Sequence, residues 1–204
     1  MPSAALQSEL YISATTRNHA MPFFKSHPAD AGPPAVFTAY PEIYQHWARM
    51  GEALMNGPSP LTPGEREMIA AFVVGLAECE FAYVAHSAVA YAWGIEDGLI
   101  EKLIDDLESA PVENRFKPLL AFVRILTLTP NKVTQADADA VFDAGWDEKA
   151  LHDAIAVTAR MCFMQRILEG HGFTPMTPER AQERAEKRVK LGYQNLYPEL
   201  ADKE

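Results

Sequence analysis

In segment after segment of this chain, apolar residues recur three and four positions apart, and apolar–polar alternation is sustained nowhere. The first pattern loads one face of a helix, whereas a half-buried strand needs the second. This constraint predicts an all-α fold, a bundle of about eight helices. The clearest helix start lies in LTPGEREMIAAFVVGLAE, with Thr62 as N-cap, Pro63 in the first turn and Glu65 completing a capping box. Met68, Ile69, Phe72, Val73 and Leu76 follow as its core stripe. Upstream, Ile43, Trp47, Met50 and Leu54 mark a helix that ends at Gly57-Pro58. Downstream, a helix carries Phe81 to Ala92 and stops near Gly94, and Leu99, Ile100, Leu103, Ile104 and Leu107 share a face of the next. FKPLLAFVRILTLTP is apolar nearly all round, which predicts a central, buried helix ended by Pro130. Thr134 with Asp137 opens a short helix closing at Gly145, and Asp147 caps a long one stopped around Gly170 to Gly172. A charged helix follows Thr177-Pro178 and runs towards Tyr197-Pro198.

These breaks divide the chain into an irregular N-terminal arm over residues 1–38, a helical domain over 39–173, and a charged helix and tail over 174–204. With 204 residues, 48% of them hydrophobic, there is material for one well-packed domain. The formal net charge of −10 argues against nucleic acid or an anionic membrane surface as partner, because phosphates need clustered cations. The basic stretch ERAQERAEKRVK alternates acids with bases and reads as a solvated helix face. Two cysteines make no disulfide framework and fit a reducing cytosol. The first twenty residues lack a basic start and an apolar run of signal-peptide type, and no stretch has the length of a membrane span. A cytoplasmic protein is the expectation.

The stretch AECEFAYVAHS carries the chemistry of interest. Cys79 falls where one helix ends and the next begins, and positions 79, 82 and 86 share a face of the second helix at i, i+3 and i+7. A thiol at a helix N-terminus is expected to have its pKa lowered by the helix dipole. His86, on the same face, can exchange protons with whatever occupies position 82. Glu67 lies on the preceding helix, and a short turn between antiparallel helices would return its carboxylate to His86.

The spacing of Glu67, Cys79, position 82 and His86 resembles the alkylhydroperoxidase D-like, or carboxymuconolactone decarboxylase, family, in particular its uncharacterised peroxidase-related branch. The resemblance spans roughly residues 40–172 and includes LTPGEREMIA, AHSAVAYAWGI, the run from LAFVRILTLTPNKV to DEKALHDAI, and FMQRILEGHGF. It implies a helical fold with a Glu…Cys-x-x-Cys-x-x-x-His site. In such proteins the second cysteine is oxidised by a hydroperoxide and the first resolves it to a disulfide. His and Glu relay protons, and a dithiol partner restores the pair. Cys79 matches the resolving cysteine, His86 the relay base and Glu67 the relay carboxylate. Phe81 stands where some members have a relay tyrosine.

Ala82 stands at the position of the peroxidatic cysteine, and a methyl group cannot become a sulfenate. The two-thiol cycle therefore cannot run in this chain as written. The sequence leaves open whether Ala82 is an engineered replacement or the natural residue of a member that lost or changed the activity.

Taken singly, Cys79 reads as a small buried hydrophobe, His86 as a histidine satisfying local hydrogen bonds, and Glu67 as a surface acid. Their joint spacing is what distinguishes them. Cys162 beside Met161 and Phe163 reads as core packing, and His152 and His171 as helix-surface and helix-end residues. Neither a His-x-x-x-His nor a Cys-x-x-Cys spacing offers three metal ligands, so no metal or other cofactor is expected.

The leading expectation is a peroxidase-type thiol oxidoreductase fold with an incomplete cysteine pair, acting on a small hydroperoxide with a dithiol reductant. The alternatives are a decarboxylase or lyase using Glu67 and His86 as acid and base, and a non-catalytic ligand-binding oligomer. The resemblance also implies a homo-oligomer, trimeric or hexameric.

Overall fold

The computed structural model describes residues 22–197. Among them are nine α-helices, one 3₁₀ turn (Pro130–Lys132) and no strand. In chain order the helices are α1 Pro33–Ala39, α2 Pro41–Met55, α3 Pro63–Leu76, α4 Glu80–Ala92, α5 Leu99–Asp105, α6 Phe116–Leu128, α7 Gln135–Asp143, α8 Glu148–His171 and α9 Pro178–Leu191. The all-α expectation holds, and none of the helices is long and apolar enough to cross a membrane.

The centre of the bundle is α3. Every residue from Arg66 to Gly75 is buried, and α4, α5, α6 and α8 all pack on it. Its start has the expected capping box: Thr62 accepts from the Glu65 N–H, and the Glu65 carboxylate accepts from the Thr62 N–H. Even its arginine is structural. Arg66 is buried and donates to the carbonyls of Leu54 and Gly57, at 2.6 and 3.0 Å, so it supplies donors where the α2 helix runs out of its own. The helix expected at the centre, α6, buries Phe116, Leu119, Leu120, Phe122 and Val123 but leaves Leu128 exposed. It is a flank of the core, because α3 already fills the middle.

Two further expectations need correction. The arm is not irregular throughout: Pro33 and Pro34 occupy the first turn of α1, where a missing N–H costs nothing, and Val36 and Phe37 are buried. Residues 1–21 of the arm lie outside the described residues. In α2 the stripe Ile43, Trp47, Met50, Leu54 is not the buried face. Tyr44, Ala48, Gly51 and Met55 are buried instead, while Ile43 and Met50 are exposed. The phase follows from what α2 must accommodate: a Cβ on Gly51 would come within 2.6 Å of an Arg160 terminal nitrogen. Glycine there lets the guanidinium lie against the helix.

Helix α8 begins with Asp147 accepting from the Ala150 N–H and ends at Gly172, which takes the left-handed conformation at φ 67°. Helix α9 stops at Leu191, short of the expected Tyr197-Pro198, and Gly192 turns the chain so that Tyr193 points back into the bundle. The C-terminal segment is thereby part of the packed body: α9 lies along α4, with Ala181 and Ala185 buried at the contact.

Candidate active site

The α3–α4 hairpin builds the site. Residues 77–79 make the turn, with Cys79 N–H donating to the Val74 carbonyl at 2.9 Å and Glu78 held at φ 54°. A positive φ is uncommon for a residue with a side chain, and here it lets α4 reverse within three residues. The reversal brings His86 back to Glu67, with His86 Nδ1 2.7 Å from Glu67 Oε2. The other carboxylate oxygen accepts from the Tyr193 hydroxyl at 2.6 Å. All three residues are buried.

The electrostatics assign the protons. Burial alone would raise the Glu67 carboxyl, but His86, Arg188 and the Tyr193 hydrogen bond outweigh it and hold the group below its ordinary 4.5. Burial lowers His86 below its ordinary 6.5 despite the neighbouring carboxylate. Burial, followed by Glu67, raises Tyr193, which stays a hydroxyl donor. The arrangement is an ionised Glu67 accepting from a neutral imidazole and a phenol. With Nδ1 donating, the His86 lone pair is on Nε2.

A cavity of about 620 Å³ opens beside this group. Ala82, His86 and Tyr193 line it, whereas Glu67 and Cys79 do not. The four residues singled out from sequence are therefore split. Ala82 and His86 face the cavity, Glu67 stands behind His86, and Cys79 is fully buried at the N-cap of α4.

Cys79 departs from its expected chemistry. The helix N-terminus is where it was expected to be, but burial pushes the thiol up to about 12, and a hydrogen bond to the Glu169 carboxylate adds to the effect. Desolvation of a thiolate outweighs the partial charge of the helix end. Cys79 is a protonated thiol at neutral pH, and neither it nor the half-buried Cys162 is in a disulfide.

Three functional side chains were not found from sequence. Arg188 comes from the stretch read as a solvated face, and Tyr193 from the charged helix and tail that continue beyond it. Arg188 donates towards the Tyr193 hydroxyl at 3.4 Å and lies 4.8 Å from the ring centroid. Arg160 of α8 stacks on Trp47 at 3.8 Å and is pulled down to about 10 by burial. Signals existed for both arginines. Arg180, Arg184 and Arg188 repeat every four residues beside the small Ala181 and Ala185, and Arg160 interrupts an apolar run. No group of three or more potential metal ligands forms among the described residues.

The all-helical fold is similar to that of an alkylhydroperoxidase D-like core. Two similar solved structures are described as uncharacterised peroxidase-related proteins. One, described as an alkylhydroperoxidase AhpD core from Ralstonia eutropha JMP134, aligns with TM-score 0.66 and 22% identity, covering 74% of this chain and 78% of that one. Another, from Silicibacter sp. TM1040, aligns with TM-score 0.60 and 25% identity over 72% and 88% of the two chains. No protein-family model and no curated protein matches the sequence.

Proposed function

We propose that this chain is a peroxidase-related protein that has kept the proton-relay half of the site without the sulfur half. The retained chemistry is thiol-independent acid–base catalysis on a small carbonyl or lactone substrate. The observation that carries the reading is the 2.7 Å Glu67–His86 contact, with His86 opening on the cavity and Cys79 shut away from it. A buried carboxylate fixes the imidazole tautomer and stabilises the imidazolium that forms when Nε2 takes a proton. Tyr193 holds the second carboxylate oxygen, a phenol in the relay supplied by a different element from Phe81.

The test is proton exchange at the α-carbon of enolisable acids and lactones in D₂O, followed by NMR. Exchange is expected to survive iodoacetamide treatment and to fall about 10²-fold or more in His86→Gln, the usual weight of a positioned base. Peroxide consumption by the present chain that iodoacetamide abolishes would overturn the reading.

A hydroperoxide-reducing ancestry is favoured by one specific observation: Ala82 lines the cavity on the same helix as His86, where an oxidisable sulfur would meet substrate. A dithiol reductant becomes a partner only when a sulfur stands there. Self-association belongs to the same proposal. Exposed Ile43 and Met50 flank Trp47, whose ring lies tilted against exposed Phe163 with centroids 4.6 Å apart, giving an apolar patch of the kind that marks contacts between chains. Light scattering at micromolar concentration is expected to give a trimer or hexamer; a monomer would count against it.

A further inference from the structure

The cavity holds more positive charge than the protein neutralises. Arg160, Arg184 and Arg188 all line it, and none of them forms an ion pair among the described residues. Arg180, also lining it, reaches Asp30 at 3.6 Å. Arg160 is the telling member. It is 5% exposed, donates one 3.2 Å hydrogen bond to the Trp47 carbonyl, and has a buried Nε with no hydrogen-bond partner. Glu67 is already engaged by His86 and Tyr193. Glu52, near the end of α9, accepts from the Tyr193 and Gln194 N–H groups. A buried guanidinium with an unmatched donor is costly unless something completes it.

Much of the remaining wall is apolar, with Phe37, Phe81, Val89, Met161, Met164 and Leu168, while Asp30, Thr174, Thr177 and Tyr197 add polar atoms. The volume lies inside the range of small-molecule sites, about 300–1,000 Å³. A cationic group set in an apolar wall selects a ligand with an anionic head and an apolar body. A carboxylate suits this site better than a phosphate, because its planar pair of oxygens matches a guanidinium fork.

We propose that the cavity binds a carboxylic acid with an extended apolar body, its carboxylate held by Arg160 and Arg188 and its tail on the Phe81–Met164–Leu168 wall. This names the ligand class for the cavity used by the proposed acid–base reaction and rests on that reading.

Titration calorimetry of the full chain with octanoate and with octanamide, matched in shape and differing in charge, is the test. Octanoate is expected to bind about tenfold tighter or more, the scale of a charge-assisted contact. Arg188→Gln should remove most of that preference while leaving octanamide affinity within about threefold, with circular dichroism confirming the fold. Arg160→Lys, which keeps the charge but loses the fork, should weaken octanoate several-fold. His86→Gln should retain the octanoate preference, so that loss of proton transfer and loss of binding are read separately. Equal affinity for acid and amide, absence of binding by either, or a preference unchanged in both arginine variants would overturn the assignment.

Discussion

Ala82→Cys should turn the protein into a peroxide-consuming enzyme, with a rate about 10²-fold or more above the present chain in the presence of dithiothreitol. The position lines the cavity on the helix that carries His86, four residues away and so one turn along the same face. His86 is neutral and can accept the introduced thiol's proton, with Glu67 stabilising the imidazolium. The thiolate attacks one oxygen of the hydroperoxide and the O–O bond breaks. The alcohol leaves with the proton from His86, and sulfur is left as sulfenic acid. Condensation with the Cys79 thiol then releases water and forms a disulfide, which two electrons from dithiothreitol reopen.

The buried, protonated state of Cys79 adds a further expectation. Its thiol is pushed up to about 12, so resolution should be slow and the sulfenate should accumulate long enough for dimedone to trap it. Adding His86→Gln should lower the peroxide rate by about 10²-fold. A folded variant that shows neither a disulfide to Cys79 on peptide mapping nor peroxide-dependent oxidation of the reductant would sink the idea.

The parts of this site that were legible in the sequence are those fixed by local structure. The Thr62–Glu65 capping box sets the start of α3, and the hairpin turn sets where α4 begins, so the meeting of Glu67 with His86 follows from helical spacing. What depends on packing between distant segments was not legible. The stripe Ile43, Trp47, Met50, Leu54 has the correct period, yet the buried face of α2 is set by Arg160, more than a hundred residues away. The alternating charges of α9 hide a stripe of arginines turned towards the cavity, and nothing local says that Gly192 will send Tyr193 back to Glu67. Cys79 shows the same limit in energetic form: its place at a helix start was readable, but its burial beside Glu169 decides its acidity.

Glu67→Gln is expected to cost about 3–5 kcal/mol of stability in urea denaturation, the range for removing one member of a buried charged group. The carboxylate accepts from His86 on one oxygen and Tyr193 on the other, and an amide can accept on only one side. Its NH₂ would face a second donor, so either a buried proton goes unmatched or His86 must switch tautomer and give up the lone pair on Nε2. The change also removes a carboxylate charge that acts on both Arg160 and Arg188, so two cations already in excess in the same wall lose part of what offsets them. Pairing Glu67→Gln with Arg188→Gln should therefore recover part of the loss, a non-additivity expected between residues in one network.

The acid limb supplies an independent check. The Glu67 carboxyl is held below 4.5 in the fold, so its stabilisation is present above that pH and disappears as pH falls through the depressed native value. His86 is also depressed: below about 6.5 the unfolded chain takes up a proton that the native chain refuses, and stability falls further in that window. Both shifts make the protein less stable in acid. In Glu67→Gln the carboxylate contribution to the acid limb is gone, so the loss below pH 4.5 should be shallower than in the parent. A cost under about 1 kcal/mol, with an unchanged acid limb, would mean that the buried carboxylate neither holds His86 in place nor balances the arginines.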